Sequence, residues 1–167
     1  MVIRVLEAGD ATQYREVRAE ALLTEPFAFG MDYESFAART DEDIQAQLPP
    51  VEELSFTMGA FIDGQLVGTA GLFRHKMIKF RHGADLNAMY VAAEARGKGV
   101  GKALVAALIE RARTFDGLEM ISLTVTHTQE AAIQLYRSMG FVTWGKSSKT
   151  LKVGDEYADF EHMTLIL

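Results

Sequence analysis

The sequence of 167 residues contains no cysteine, which excludes disulfide bridges, thiolate metal ligands and a cysteine nucleophile. Its apolar stretches fall far short of the ~20 residues that cross a bilayer. The first residues become charged at Arg4, too early for a signal peptide. With no low-complexity tract and 49% apolar residues, the sequence predicts one domain over residues 1–167, located in the cytoplasm and without a membrane span.

Positive charge is also scarce. The 17 basic residues are outnumbered by 23 acidic ones, which argues against a nucleic-acid partner held through phosphate neutralisation. The histidines show none of the close helical spacings of a metal site: His75, His82, His127 and His162. We therefore expect neither nucleic acid nor a metal ion as a ligand, and the acidic surface favours a small cationic one.

The most informative feature that is present is a glycine run, which lies between a strand-like segment, 86–91, and a helix-like segment, 100–114. Its residues are Arg96, Gly97, Lys98, Gly99, Val100 and Gly101. The first N–H groups of a helix have no intrahelical partner, and glycine lets an anion approach them closely. The run therefore predicts a phosphate-binding turn made by main-chain groups.

Two familiar phosphate-binding patterns do not fit this run. A dinucleotide fingerprint would need glycine at Lys102, and a P-loop would need serine or threonine at Ala103. A tight connection without a ligand is the remaining alternative for the glycines alone.

A second pattern lies downstream, where a short predicted helix begins near Gln129 and is closed by Gly140. With the first pattern, it resembles the GCN5-related N-acetyltransferases, the GNAT family. That family has Val-x-x-x-x-Arg-Gly-x-Gly-x-Gly, here from Val91 to Gly101, and later Leu-Tyr-x-x-x-Gly-Phe, here from Leu135 to Phe141. Two positions depart from the family's frequent residues, since Ala93 replaces a proline and Gln129 an asparagine.

The resemblance implies acetyl-CoA as cosubstrate and assigns residues to it. The main chain of Arg96 to Gly101 would bind the pyrophosphate, with Arg96 and Lys98 adding positive charge. Gln129 would contact the pantetheine arm. The main chain of three strand residues would pair with that arm and with the thioester carbonyl: Met89, Tyr90 and Val91. Tyr136 would act as the general acid that protonates the leaving thiolate, although a tyrosine on the apolar side of a helix is also a common core residue.

Asp85 is the predicted general base. Strand periodicity places it on the same face as Met89 and Val91, next to the reacting atoms. Glu20 and Glu34 are weaker rivals, and a chain of water molecules is a further alternative.

The element pattern predicts an α/β fold with a mixed, mostly antiparallel sheet and helices on both faces, including a hairpin at Asp63-Gly64. The resemblance adds two central strands that splay apart around the cosubstrate.

The resemblance implies an acetyl-CoA-dependent N-acetyltransferase that acts on a primary amine of a small molecule or peptide. Because there is no cysteine to carry an acyl group, transfer would be direct. Another acyl donor, or a CoA-binding sensor without turnover, are the alternatives, and a homodimer stays open. Residues 24–50 are expected to line the acceptor side, where aromatic residues alternate with acids that favour a cationic amine: Phe27, Phe29, Tyr33 and Phe36 with Glu25, Asp32 and Glu34.

Overall fold

The computed structural model describes residues 1–48, 50, 51 and 54–167. Seven strands and five α-helices follow one another in the described part of the chain. They are β1 (Val2–Val5), α1 (Ala11–Thr24), α2 (Tyr33–Ala37), α3 (Asp41–Gln47), β2 (Ser55–Ile62), β3 (Gln65–Arg74), β4 (Gly83–Val91), α4 (Val100–Ala112), β5 (Met120–Thr126), α5 (Glu130–Ser138), β6 (Val142–Val153) and β7 (Glu156–Ile166).

The strands form one sheet in the order β1-β2-β3-β4-β5-β7-β6. Every neighbouring pair is antiparallel except β4 and β5, which run parallel. The hairpin between β2 and β3 turns at Asp63 and Gly64, whose φ angles of 50° and 82° belong to the left-handed region that such tight turns require. The predicted α/β class and the mixed, mostly antiparallel sheet are confirmed.

Two hydrophobic cores flank the sheet. One includes α4 and α5, with Leu104, Leu108 and Ile133 among its buried residues. The other lies under α1, α2 and α3, with Phe36 and Ile44 fully or nearly buried. No helix in the described part of the chain is long and apolar enough to cross a membrane.

The parallel strands β4 and β5 pair only at their beginnings. The paired residues are Gly83 with Met120, Ala84 with Ile121, and Asp85 with Ser122. Beyond Asp85 the two strands separate, although both continue for several residues. The splayed central strands that the resemblance implies are therefore present.

A bulge in β4 lies along the separated part. Its register with β3 shifts between the pairs formed by Thr69 and Gly71, and Ala88 has a φ angle of 49°. The Thr69 hydroxyl donates a hydrogen bond of 2.8 Å to the Ala88 carbonyl. A Cβ atom at Gly71 would lie 2.5 Å from Oδ1 of Asn87, so glycine leaves room for the Asn87 side chain beside the bulge.

Candidate active site

A cleft opens where β4 and β5 separate. Both strands contribute to its walls, together with α5, α1 and the segment that follows α1. The lining residues are Arg18, residues 28–30 and 86–89, Thr124, Val125, Gln129, Ala132 and Tyr136. Three of the residues predicted from the sequence, Met89, Gln129 and Tyr136, thus line the same cleft.

The bulge at Ala88 reverses the alternation of side chains along β4. Leu86 belongs to the core under α4 and α5, whereas Tyr90 belongs to the core under α1. An inserted residue shifts the period of two by one, so even-numbered residues face opposite sides before and after it. Met89 packs on the same core as Leu86, so the prediction that Asp85 shares its face is wrong.

Asp85 occupies the last position at which β4 and β5 pair. Its Oδ2 atom lies 2.9 Å from Nε2 of His75, and both side chains are partly exposed. It lines a neighbouring cleft with Trp144 and His162, whereas Tyr136 lines the cleft between the splayed strands. Leu86, Asn87 and Thr124 border both clefts, so Asp85 lies beside the candidate site and not within it.

The glycine turn before α4 has the backbone shape of an anion site. Gly97 and Gly99 have φ angles of +73° and +78°, and a Cβ atom added to either would meet nothing within 4 Å. Gly99 is the N-cap of α4 and provides no capping side chain, so the first N–H groups of the helix face the turn without an intrahelical partner.

Gly101 has a different function. A Cβ atom there would lie 3.2 Å from Leu135 and 3.3 Å from Met89. Glycine therefore lets the first turn of α4 approach α5 and the bulged part of β4. Because Met89 also lines the cleft, this contact joins the glycine turn to the candidate site.

The side chain of Arg96 folds back onto the protein. Its Nε atom donates to the Val91 carbonyl at 2.9 Å, and Nη2 donates to Oε1 of Glu25 at 3.0 Å. The guanidinium carbon also lies 5.6 Å from the centre of the Tyr90 ring. The guanidinium of Arg96, predicted to lie near the pyrophosphate, thus connects the end of β4 with the residue that ends α1.

Glu25 connects the segments that follow the two splayed strands. Its Oε1 atom accepts from Arg96, which follows β4, and its Oε2 atom accepts from Nε2 of Gln129 at 3.1 Å. Gln129 is the N-cap of α5, which follows β5. We call these three residues the Glu25 bridge. Sequence reasoning missed it, because the partners lie 71 and 104 residues apart along the chain.

Tyr90 fixes α1 to β4 through its side chain. Its hydroxyl donates to Oε1 of Glu20 at 2.8 Å and lies 3.3 Å from Oγ1 of Thr24. Burial raises the pKa of this phenol, because the anionic form would lose solvation. Glu20, a weaker candidate for the base, thus already accepts a hydrogen bond from Tyr90.

Tyr136 is buried and lines the cleft, and its ring meets Phe141 edge to face at 5.7 Å. Burial raises the pKa of Tyr136 well above its usual value. The phenol is therefore neutral at ordinary pH, and it can donate a hydrogen bond or a proton to a charge that develops in the cleft.

Two of the three acidic residues expected to attract a cationic acceptor have partners within the protein. Asp32 caps α2, accepting 2.7 Å hydrogen bonds from the Ser35 main chain and hydroxyl. Glu25 belongs to the bridge, and Glu34 lies in the first turn of α2. No acidic side chain lines the cleft among the residues that the structure describes. These acids therefore do not support a cationic acceptor.

Within the described ranges, no group of three or more histidine, aspartate or glutamate side chains could hold a metal ion. The one charged side chain that lines the cleft there is Arg18, which extends from α1 and which sequence reasoning did not single out.

The splayed sheet, the glycine turn and the cleft tyrosine define the acyl-CoA N-acyltransferase class of fold. Residues 18–141 match the model of the acetyltransferase (GNAT) family. This chain belongs to that family.

Two curated relatives and one solved structure illustrate the similarity. The L-methionine sulfoximine/L-methionine sulfone acetyltransferase of Pseudomonas aeruginosa is 31% identical over 104 residues, which are 62% of this chain and 60% of that protein. The L-amino acid N-acetyltransferase AaaT of Escherichia coli is 25% identical over 99% of this chain and 98% of that protein. A GNAT-family acetyltransferase from Streptococcus pneumoniae superposes with a TM-score of 0.90 at 24% identity, over 99% of both chains.

Proposed function

We propose that this protein transfers the acetyl group of acetyl-CoA directly to a primary amine of a small molecule. The observation that carries the proposal is the separation of β4 from β5 after Asp85. It opens a cleft that Tyr136 lines, and Met89 joins that cleft to the glycine turn. The curated relatives support a small acceptor, since they are named for acetylation of methionine sulfoximine, methionine sulfone and L-amino acids.

The glycine turn fits the pyrophosphate of acetyl-CoA. Open space in front of Gly97 and Gly99 admits phosphate oxygens, and the unpaired N–H groups at the start of α4 can donate to them. Lys98 is exposed beside the turn and adds positive charge. Beyond Asp85, β4 presents a strand edge that is not paired with β5. The two amides of a pantetheine arm can pair with main-chain groups of Met89, Tyr90 and Val91 at this edge, as an added strand would.

Acetyl-CoA supplies a thioester whose carbonyl carbon accepts the amine. The carbonyl oxygen becomes an oxyanion, and a main-chain N–H of residues 88 and 89, which the bulge leaves out of the pairing with β3, can stabilise it. The new C–N bond forms and the C–S bond then breaks. Tyr136 donates its hydrogen to the departing sulfur.

The attacking amine must also lose a proton. Asp85 is the proposed acceptor of that proton, through a water molecule, since it lines the neighbouring cleft and not the one that Tyr136 lines. The phosphate-binding turn and the general acid do not depend on this assignment.

An amine panel tests the proposed function. The purified protein is given acetyl-CoA with amino acids, polyamines, aminoglycosides and peptide N-termini, and both free thiol and the acetylated product are measured. Transfer to at least one class supports the proposal, and Tyr136→Phe serves as the low-turnover control. Acetyl-CoA binding without transfer to any amine would favour a sensor, and transfer only from another acyl-CoA would correct the donor. No binding of any acyl-CoA would contradict both.

The cellular setting belongs to the same proposal. We expect one domain in the cytoplasm, without a nucleic-acid partner. Light scattering of the purified protein decides between a monomer and a homodimer.

A further inference from the structure

Arg18 is a buried cation in the wall of the cleft. Its side chain extends from α1, and the residue is only 9% exposed. The Nη1 atom is shielded from solvent and has no hydrogen-bond partner in the described part of the chain. Buried guanidinium groups are normally paired, because their donors otherwise lose the hydrogen bonds that water would give them.

The surroundings of Arg18 compensate for only part of this burial. The Phe29 ring lies 4.4 Å from the guanidinium carbon, which gives a cation–π contact but accepts no ordinary hydrogen bond. Burial lowers the pKa of Arg18; Tyr14 opposes this shift, and repulsion from Arg39 adds to it. The protein thus holds a positive charge where its own groups disfavour it.

Arg15, three residues earlier on α1, shows the usual arrangement. Its Nε atom lies 2.8 Å from Oδ1 of Asp41, and its Nη2 atom donates to the Arg39 carbonyl at 2.6 Å. The same helix therefore carries one arginine with two partners and a second, Arg18, that lines the cleft and whose shielded Nη1 atom has no partner.

The cleft offers no counter-charge to Arg18. Its other polar lining side chains in the described chain are neutral: Asn87, Thr124, Gln129 and Tyr136. A site with one unbalanced cation and neutral donors attracts an anion, and a planar guanidinium suits a carboxylate in particular.

We propose that Arg18 binds a carboxylate of the acceptor, so that the preferred acceptor is a small amine that also carries a carboxylate, of the amino-acid type. This inference rests on the proposed acetyl transfer. In an α-amino acid the amine and the carboxylate share one carbon, so a carboxylate held at Arg18 keeps the amine within the cleft that Tyr136 lines. Shape and charge thereby select the acceptor together.

The test compares each L-amino acid of the panel with its own carboxamide, which keeps the amine and side chain but removes the negative charge. For the best amino acid, wild-type kcat/KM is expected to exceed that of the carboxamide at least 10-fold. Arg18→Gln should lower kcat/KM for the amino acid about 10²-fold, mainly through KM, because a charged hydrogen-bond pair is lost. The carboxamide should change less than about 3-fold. Arg15→Gln, on the same helix, should keep the wild-type ratio.

Three results would overturn the inference. An equal loss for the acid and the carboxamide would give Arg18 a structural role, and a weakened acetyl-CoA affinity in Arg18→Gln would assign it to the cosubstrate. A wild-type protein that prefers carboxamides would exclude a carboxylate site. The melting temperature provides a further check, because removal of an unpaired buried charge should leave it unchanged or raise it, whereas a structural arginine would lower it.

A binding measurement separates this inference from the proposed function. Calorimetry of the CoA-loaded protein with the twenty L-amino acids and their carboxamides requires no turnover. Amino-acid binding that Arg18→Gln abolishes would support the carboxylate site even in a protein that transfers nothing. Efficient acetylation of amines without any preference for a carboxylate would leave the proposed function intact and contradict the role of Arg18.

Discussion

The two sides of the cleft are built from different parts of the polypeptide. On the side proposed for acetyl-CoA, the binding groups are main-chain atoms of the glycine turn and of the bulged strand β4. On the side proposed for the acceptor, side chains from different elements line the cleft, including Arg18 of α1, Asn87 of β4 and Thr124 of β5. A main-chain site depends on backbone conformation, which a short local motif can specify. A side-chain site depends on which elements the fold brings together.

The largest effect is expected at Gly99, because a site made of main-chain groups depends on the backbone conformation of the glycine turn. Gly99→Val places a β-branched residue at a φ angle of +78° and a side chain in the open space of the turn. Acetyl-CoA should then no longer raise the melting temperature, whereas the wild-type protein gains stability by mass action. The measurement is thermal unfolding with and without acetyl-CoA.

Gly154→Val is the matched control. Gly154 also has a positive φ angle, +59°, and open space around it, but it lies in the turn between β6 and β7. Its substitution should lower the melting temperature of the free protein and keep the acetyl-CoA shift. A full shift in folded Gly99→Val would contradict the phosphate assignment. Gly101→Val should differ from both, because Leu135 and Met89 lie against that position, and its main effect should be loss of stability.

The second largest effect is expected at Tyr136, which belongs to the chemistry between the two sides. Tyr136→Phe should lower kcat roughly 10²-fold or more, because the departing sulfur loses its hydrogen donor. Acetyl-CoA affinity should stay within a few-fold, since the effect acts on the transition state. Burial raises the pKa of this phenol above its ordinary value, so the wild-type rate should not fall at alkaline pH up to about 10 through this group. Steady-state kinetics across pH measure the loss in the variant and the alkaline profile of the wild type. Wild-type turnover in Tyr136→Phe would show that Tyr136 is only a core residue.

Sequence patterns located the glycine turn and the two helices beside the cleft for a physical reason. The glycine turn, the start of α4 and the tyrosine of α5 depend on residues that are close along the chain, and their spacing survives as a motif. The hairpin at Asp63-Gly64 is local in the same sense. The separation of β4 from β5 followed from the family resemblance and not from residue periodicity.

The features that were missed depend on partners far along the chain. Ala88 carries no turn signal of its own, and its bulge lies against Thr69 and Gly71 in the neighbouring strand. Because of that bulge, side chains along β4 do not follow a simple period of two, and the predicted face of Asp85 was wrong. Arg18 belongs to no motif, and its place in the cleft depends on the fold, which brings α1 close to β4 and β5. Composition likewise suggested a cationic acceptor, although no acidic side chain lines the cleft in the described part of the chain.

A third prediction concerns Asp85, whose position beside the cleft makes it the weakest part of the proposed chemistry. If Asp85 accepts the proton of the amine, Asp85→Asn should lower kcat/KM for the amine up to about 10²-fold at neutral pH. The rate should partly recover at alkaline pH, where the amine is already deprotonated. The measurement is the pH profile of kcat/KM for the variant and the wild type.

His75→Gln sharpens this result, since His75 is the hydrogen-bond partner of Asp85. If Asp85 needs this hydrogen bond to act as the base, both variants should show a similar profile, whereas a base that acts without it predicts an effect at Asp85 alone. A lower melting temperature with an unchanged profile in Asp85→Asn would show that the residue only stabilises the end of the paired strands.

The smallest effect is expected at Tyr90, where the two sides meet. Its main chain belongs to the cosubstrate side, and its side chain holds α1 through Glu20 and Thr24. Tyr90→Phe keeps the ring against Phe29, which it meets edge to face at 6.5 Å, and removes only the hydroxyl. The free energy of unfolding should fall by about 1–2 kcal/mol, because a hydrogen bond to a carboxylate is lost in a partly buried place. Tyr157→Phe, at an exposed tyrosine on β7, should change the free energy of unfolding by less than about 0.5 kcal/mol.

Since α1 carries Arg18, KM for the acceptor should rise in Tyr90→Phe while acetyl-CoA affinity stays constant. Denaturant unfolding and steady-state kinetics measure the two effects, and an equal loss of affinity for both substrates would show that the main-chain and side-chain sides of the cleft do not act separately.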